Sequence, residues 1–243
     1  MTLLCLDFGN TSCKAVIIRD GEWIATIDEM VPSVAQIESI IQSHQPTHSI
    51  LVSVIHHDSE VETVLKERTV FHMVSAVSLK NFIIKSGKPE TLGTDRIALV
   101  AAAVDQFPQK NTLIISLGTC ITYNFVNQYG HFLGGSISPG LEMRFRSLHD
   151  YTAKLPKVEA DWNFPLIGYD TKTNLQSGVI VGLTAEIDGF IDRYSERYDN
   201  FNVILTGGNS PYFAGQLKNR IFADKNFLFK GLYALSQLNQ PDA

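Results

Sequence analysis

Short apolar runs that end in a polar residue and a glycine alternate along this 243-residue chain with stretches whose apolar positions recur three and four apart. Leu3-Leu4-Cys5-Leu6 is the first such run, and Asp7-Phe8-Gly9-Asn10-Thr11 follows it. Lys14–Arg19 predicts a second strand, Asp20-Gly21 a two-residue hairpin turn, and Glu22–Ile27 a third strand. Val34, Ile37, Ile40 and Ile41 predict a helix over Ser33–His44, and the β-branched run Ile50–Ile55 predicts a strand. Ser59–Arg68 reads as a helix, with Ser59 and Glu62 at capping-box spacing.

The same order then returns. Leu113-Ile114-Ile115 is a buried run followed by Ser116-Leu117-Gly118-Thr119. Ile121–Asn127 predicts a strand, Gln128–Gly130 a turn and His131–Leu133 a short strand. A helix is expected from about Leu141, and a longer one over about Asn174–Arg197, with Leu175, Val179, Ile187, Phe190 and Ile191 on or near one face. Asn202–Thr206 predicts a strand, and Pro211–Arg220 a helix with proline at its start. Each half is therefore strand, strand, strand, helix, strand, helix. This is an α/β chain of duplicated βββαβα units, divided into 1–111 and 112–243. Two copies facing each other would place the two glycine turns on opposite walls of one cleft.

Composition narrows the function classes. With 44% hydrophobic and 19% charged residues the chain is an ordinary globular one. A net charge of −5 and no Lys/Arg run argue against nucleic acid as a partner. The longest apolar run, Ile97–Val104, stops at Asp105, whereas crossing a bilayer takes about 20 residues. The N-terminus meets Asp7 too early for a signal peptide, so a cytoplasmic location without a membrane partner is expected. Cys5, Cys13 and Cys120 are odd in number and far apart, and read as reduced thiols.

The repeated order resembles the superfamily of actin, the 70-kDa heat-shock proteins and the sugar kinases. That resemblance implies an actin-like ATPase fold of two ribonuclease H-like domains, with ATP between them. Ile204-Leu205-Thr206-Gly207-Gly208-Asn209 resembles its adenosine-facing element. Further segments resemble one family, type III pantothenate kinase. Asp7-Phe8-Gly9-Asn10-Thr11-Ser12-Cys13-Lys14 is similar to its first phosphate loop, and Gly118-Thr119-Cys120-Ile121-Thr122 to its second. Gly93-Thr94-Asp95-Arg96 looks like its acceptor site. Gly134–Gly140 is similar to its GGxIxPG turn, Thr152–Pro156 to its T-A-x-L-P segment, and Asp170-Thr171 with Gly178 to its approach to the long helix.

The resemblance implies ATP-dependent phosphorylation of pantothenate to 4′-phosphopantothenate, the first step towards coenzyme A, by a homodimer. ATP would be bound by Asp7, Phe8, Gly9, Asn10, Thr11, Ser12, Cys13, Lys14 and Thr119. Pantothenate would meet Gly93, Thr94, Asp95, Arg96 and Thr171, with Asp95 as the general base. The residue chemistry agrees: phosphoryl transfer to an alcohol needs charge neutralisation, alignment and a base. Loop amides at Gly9–Thr11 can cradle phosphate, and Asp7 can hold magnesium through water. The family also uses a monovalent cation, potassium or ammonium, beside the second loop. Ser116 stands where the family has one aspartate and Asn124 where it has another, so the cation position keeps an oxygen and loses its charge. Two alternatives follow: a weakened nucleotide-binding relative acting through partners, and a kinase of another small alcohol.

Overall fold

A computed structural model of the chain describes residues 1–75, 78, 91–199 and 201–238. The chain forms two compact units. The first comprises residues up to Pro108, the short segment Gly130–Phe132, and the chain from Asn226 onward. The second comprises Gln109–Tyr129 and Leu133–Lys225.

The first unit opens with strands β1 (Thr2–Phe8), β2 (Cys13–Arg19) and β3 (Glu22–Met30). Helix α1 (Val34–His44), strand β4 (His48–Ser53), helix α2 (Ser59–Arg68), strand β5 (Val70–Met73) and helix α3 (Thr94–Gln106) follow. The sheet order is β3-β2-β1-β4-β5, antiparallel on the β2 side of β1 and parallel on the β4 side. Both faces are covered, which is why these strands read as unbroken apolar runs. Leu4, Leu6 and Phe8 pack with Ile37, Ile40, Val61 and Leu65 of α1 and α2. Leu3 and Cys5 point the other way, among Ile97, Ala98 and Ala101 of α3.

The second unit contains β6 (Asn111–Leu117), β7 (Cys120–Val126), β8 (Phe132–Pro139, whose first residue belongs to the first unit), α4 (Leu141–Asp150), α5 (Thr171–Ser195), β9 (Phe201–Thr206), α6 (Ser210–Ala214) and β10 (Phe222–Ala223). Its sheet order, β8-β7-β6-β9-β10, repeats the first sheet strand for strand. Leu113, Ile115, Tyr123 and Phe125 pack on Phe145, Leu183 and Ile187 of α4 and α5. The other sheet face carries buried Thr112, Thr122, Asn124 and Thr206. Helix α7 (Phe227–Leu238) returns the chain to the first unit and packs on α3, where Gly231 lies against the Ala98 carbonyl.

The Asp20-Gly21 turn has both residues at positive φ, as a type I′ hairpin requires. Three sequence expectations need correction, and one element was not expected. Helix α2 is capped by Asp58, which accepts from the Glu60 amide, while Glu62 pairs with Lys66. The GGxIxPG segment is mostly strand: Gly134–Pro139 belongs to β8, and the turn comes only at Gly140. The helix expected over Pro211–Arg220 ends at Ala214. Helix α7 had no counterpart in the sequence reading. Among the described residues, no helix is long and apolar enough to cross a membrane.

Candidate functional site

In the first unit the chemistry gathers where β1 ends and α3 begins. Asp7 is the penultimate residue of β1 and sits opposite Lys14 in the β1–β2 register. Desolvation pushes its carboxyl up to about 7, Asp95 pushes in the same direction, and Lys14 opposes them. The Lys14 ammonium is also 3.4 Å from Asp28. The loop closes through the Gly9 amide, which donates to the Ser12 carbonyl at 3.2 Å. Asn10 and Thr11 are exposed, whereas Phe8 and Cys13 bury their side chains in the core beneath α1. Of the expected ATP residues, those two therefore offer only backbone to a ligand.

Helix α3 starts at the acceptor segment. Thr94 Oγ1 donates to the Ser53 carbonyl at 2.9 Å, which ties the helix start to the end of β4. Asp95 accepts from the Arg96 amide at 2.8 Å. Desolvation still raises its carboxyl above the ordinary range, against the pull of that bond and of the Arg96 charge. The Arg96 guanidinium lies 5.6 Å from the centre of the Phe132 ring. Asp7, Lys14, Asp95 and Arg96 thus belong to one electrostatic cluster within one unit.

Three glycine-bearing turns meet in the second unit. Gly140 donates its amide to the Thr119 carbonyl at 3.0 Å, and a Cβ there would sit 2.3 Å from the Gly118 carbonyl oxygen. Gly207 has a φ of +92°, and a Cβ on it would sit 2.5 Å from the Leu117 carbonyl oxygen. Only glycine lets these backbones approach so closely. Asn209 closes the third side, donating its amide to Leu117 O at 3.1 Å and its side chain to Glu142 at 3.1 Å. The loop 118–119, the start of α4 and the Gly207–Asn209 segment therefore form one backbone-lined site. Thr171 lies elsewhere in this unit, exposed in the first turn of α5, whose cap Asp170 accepts from Thr173.

Ser116 faces Thr122 across β7 and Thr206 across β9. The Asn124 side chain donates to Thr122 Oγ1 at 3.0 Å, so its amide is engaged within the sheet. Thr206 Oγ1 is buried without a hydrogen-bond partner among the described residues. Around Ser116 these neighbours offer neutral hydroxyl oxygens and no carboxylate, so a monovalent cation there would lack the charge that an aspartate supplies. A divalent ion fits better at Asp7, where a desolvated carboxylate beside a second acid gains from a positive charge. No group of three or more His, Cys, Asp or Glu gathers as a metal cluster among the described residues. Water and phosphate oxygens would have to complete the coordination, as magnesium commonly allows.

The sequence reading missed Ser53, which anchors Thr94, and Phe132, which lies beneath Arg96. Neither carries a chemical signal of its own. Only the return of Gly130–Phe132 to the first unit brings Phe132 to Arg96.

Residues 3–193 match the sequence profile of the family described as type III pantothenate kinase. A type III pantothenate kinase of Flavobacterium johnsoniae is 40% identical over 233 residues, covering 95% of each chain. Among solved structures, the activator of 2-hydroxyisocaproyl-CoA dehydratase from Clostridium difficile, with bound ADPNP, is similar at a TM-score of 0.54 and 13% identity, covering 100% of this chain and 99% of that one. The ROK hexokinase from Thermus thermophilus is similar at 0.51 and 12%, covering 97% and 98%.

Proposed function

Because the chain belongs to the type III pantothenate kinase family, we propose that the acid cluster of its first unit carries out ATP-dependent phosphorylation of pantothenate to 4′-phosphopantothenate. The observation that carries this reading is the coupling of Asp7 with Asp95, one beside a glycine loop and the other opening a helix. Amides of Asn10 and Thr11 with the Ser12 hydroxyl receive ATP phosphate oxygens, Gly9 keeps the tight loop free of a side chain while its amide closes it on Ser12, Phe8 and Cys13 contribute backbone, and Lys14 adds positive charge. Thr119 meets phosphate from the second loop. Magnesium, bound with ATP, would be held through water by Asp7 and would neutralise phosphate charge.

Asp95 accepts the proton of the pantothenate hydroxyl as its oxygen bonds to the γ-phosphorus, and the bond from that phosphorus to the β–γ bridging oxygen breaks to release ADP. A carboxyl raised above its ordinary range is better matched to that proton than an exposed one. Arg96, stacked on Phe132, is held to face the pantothenate carboxylate, with Gly93, Thr94 and Thr171 as further contacts. Asp95→Asn keeps the shape and removes the base. Turnover of pantothenate should fall about 10²–10⁴-fold while ATP affinity stays within a few-fold. Turnover close to that of the parent would remove Asp95 from the role.

The same reading includes a homodimer and a cytoplasmic location. Exposed Tyr151, Leu166, Ile167 and Tyr169, all in the second unit, support a self-association surface. Light scattering at micromolar concentration should give twice the chain mass, and a monomer would count against it. A monovalent cation, if used, is held weakly, since Ser116 brings no charge.

A further inference from the structure

One partly buried ionic network lies outside the residues assigned so far. Arg144, on α4, donates its Nε to the Pro139 carbonyl at 2.8 Å and its Nη2 to Ser138 Oγ at 2.9 Å. The same Nη2 pairs with Glu186 Oε2 of α5 at 2.5 Å. The second oxygen of Glu186 accepts from the Tyr123 hydroxyl at 3.1 Å. Tyr123 is fully buried on β7 and its ring stacks on Phe190 with centroids 3.9 Å apart. The arginine thus joins the end of β8 to α5, and the glutamate joins α5 to β7.

The segment this network grips is the one that backs the second glycine loop. Ser138 and Pro139 directly precede Gly140, whose amide bonds to the Thr119 carbonyl. The Arg144 amide closes the same turn by donating to the Gly140 carbonyl at 3.0 Å. Gly140 and the loop at Gly118–Thr119 lie backbone against backbone, with no room for a Cβ between them. The Gly140–Thr119 hydrogen bond and this close packing link the position of Ser138–Gly140 to that of Thr119.

We propose that Arg144 and Glu186 are positioning residues for ATP: they fix the Ser138–Gly140 turn and, through it, the loop at Gly118–Thr119. This rests on the reading that Thr119 meets ATP phosphate. An arginine suits the task because its planar fork reaches a carbonyl, a hydroxyl and a carboxylate at once, which a lysine cannot do. Both side chains are largely shielded from solvent, so the pair is not one of the exposed ion pairs that contribute little.

The test is steady-state kinetics of the full chain with ATP and pantothenate varied separately, for the parent, Arg144→Ala, Arg144→Lys, Glu186→Gln and Thr119→Val. Arg144→Ala should raise the KM for ATP about tenfold and leave the KM for pantothenate within about twofold. Arg144→Lys and Glu186→Gln should fall between parent and alanine variant, because each keeps part of the network. Thr119→Val should also raise the KM for ATP. If Arg144→Ala folds less well and nothing more, activity falls with the folded fraction, both KM values stay at the parent's, and the proposal is overturned. If Thr119→Val raises the KM for ATP and the Arg144 and Glu186 variants do not, the loop reading stands and the positioning role is wrong. An unchanged KM for ATP in Thr119→Val would instead overturn the loop reading, and the positioning role with it.

Discussion

The two sheets are the same device built twice, and they differ where their first strands end. In the first, Asp7 faces Lys14 on one neighbouring strand and Val52 on the other. In the second, the matching position is Ser116, which faces Thr122 and Thr206. Strand order is shared, and so is the antiparallel and parallel pairing of the first strand with its two neighbours, while the charge is not. Apolar alternation along β1 and β6 sets the backbone path, and the penultimate residue of each strand is left to chemistry. One loop received acids and a lysine, and the other received hydroxyls and close backbone packing.

The comparison breaks most sharply at Asp7. Asp7→Asn should lower turnover about 10²–10³-fold, the usual cost of losing one electrostatic element of a reaction centre. It should also alter stability. Asp7 has a carboxyl raised in the fold from 3.8 to about 7, so the parent binds that proton more tightly folded than unfolded. The stabilisation is complete below pH 3.8 and is lost as pH rises through about 7. At about 1.4 kcal/mol per pH unit, the loss amounts to at most about 4 kcal/mol. The asparagine variant should therefore be more stable than the parent above pH 7, with the gain vanishing towards pH 4. Denaturant melts across that range check it, and a parent at least as stable as the variant at pH 8 would contradict it.

Gly140 probes the other loop. Gly140→Ala places a methyl 2.3 Å from one carbonyl oxygen and 2.4 Å from the next, with backbone on both sides. Overpacking of this kind costs about 1–3 kcal/mol. It should lower kcat/KM for ATP about tenfold or more while leaving the acid cluster intact. Unchanged kinetics would mean that the tight packing behind the second loop is dispensable.

Much of this was legible in the sequence. Alternating apolar runs gave the duplicated order, and the Asp20-Gly21 turn follows from the need for two positive φ angles. Asp7 and Asp95 were legible through the segments that resemble one family, Asp7 in Asp7–Lys14 and Asp95 in Gly93–Arg96; their desolvation appears only in the fold. What stayed hidden depends on contacts distant in sequence. Helix α7 shows a strong apolar face, but only packing on α3 explains it. Ser59 looked like a helix cap until the neighbouring Asp58 took the role. Phe132, Arg144 and Glu186 belong to no motif in the sequence, because their roles arise from what the fold sets beside them.

The claim at the centre of this account is that the first loop carries the charge and the second does not. Potassium titration of the parent and of Ser116→Asp tests it most directly, at saturating ATP and pantothenate and constant ionic strength held with choline chloride. Melting temperature is followed over the same series. The parent should show weak activation, saturating only at high potassium, with little thermal shift. Ser116→Asp should lower the potassium needed for half-activation several-fold and gain a potassium-dependent thermal shift, because a carboxylate holds a cation far better than a hydroxyl where water is partly excluded. Full activity of the parent without potassium, with no gain from the aspartate, would contradict the account.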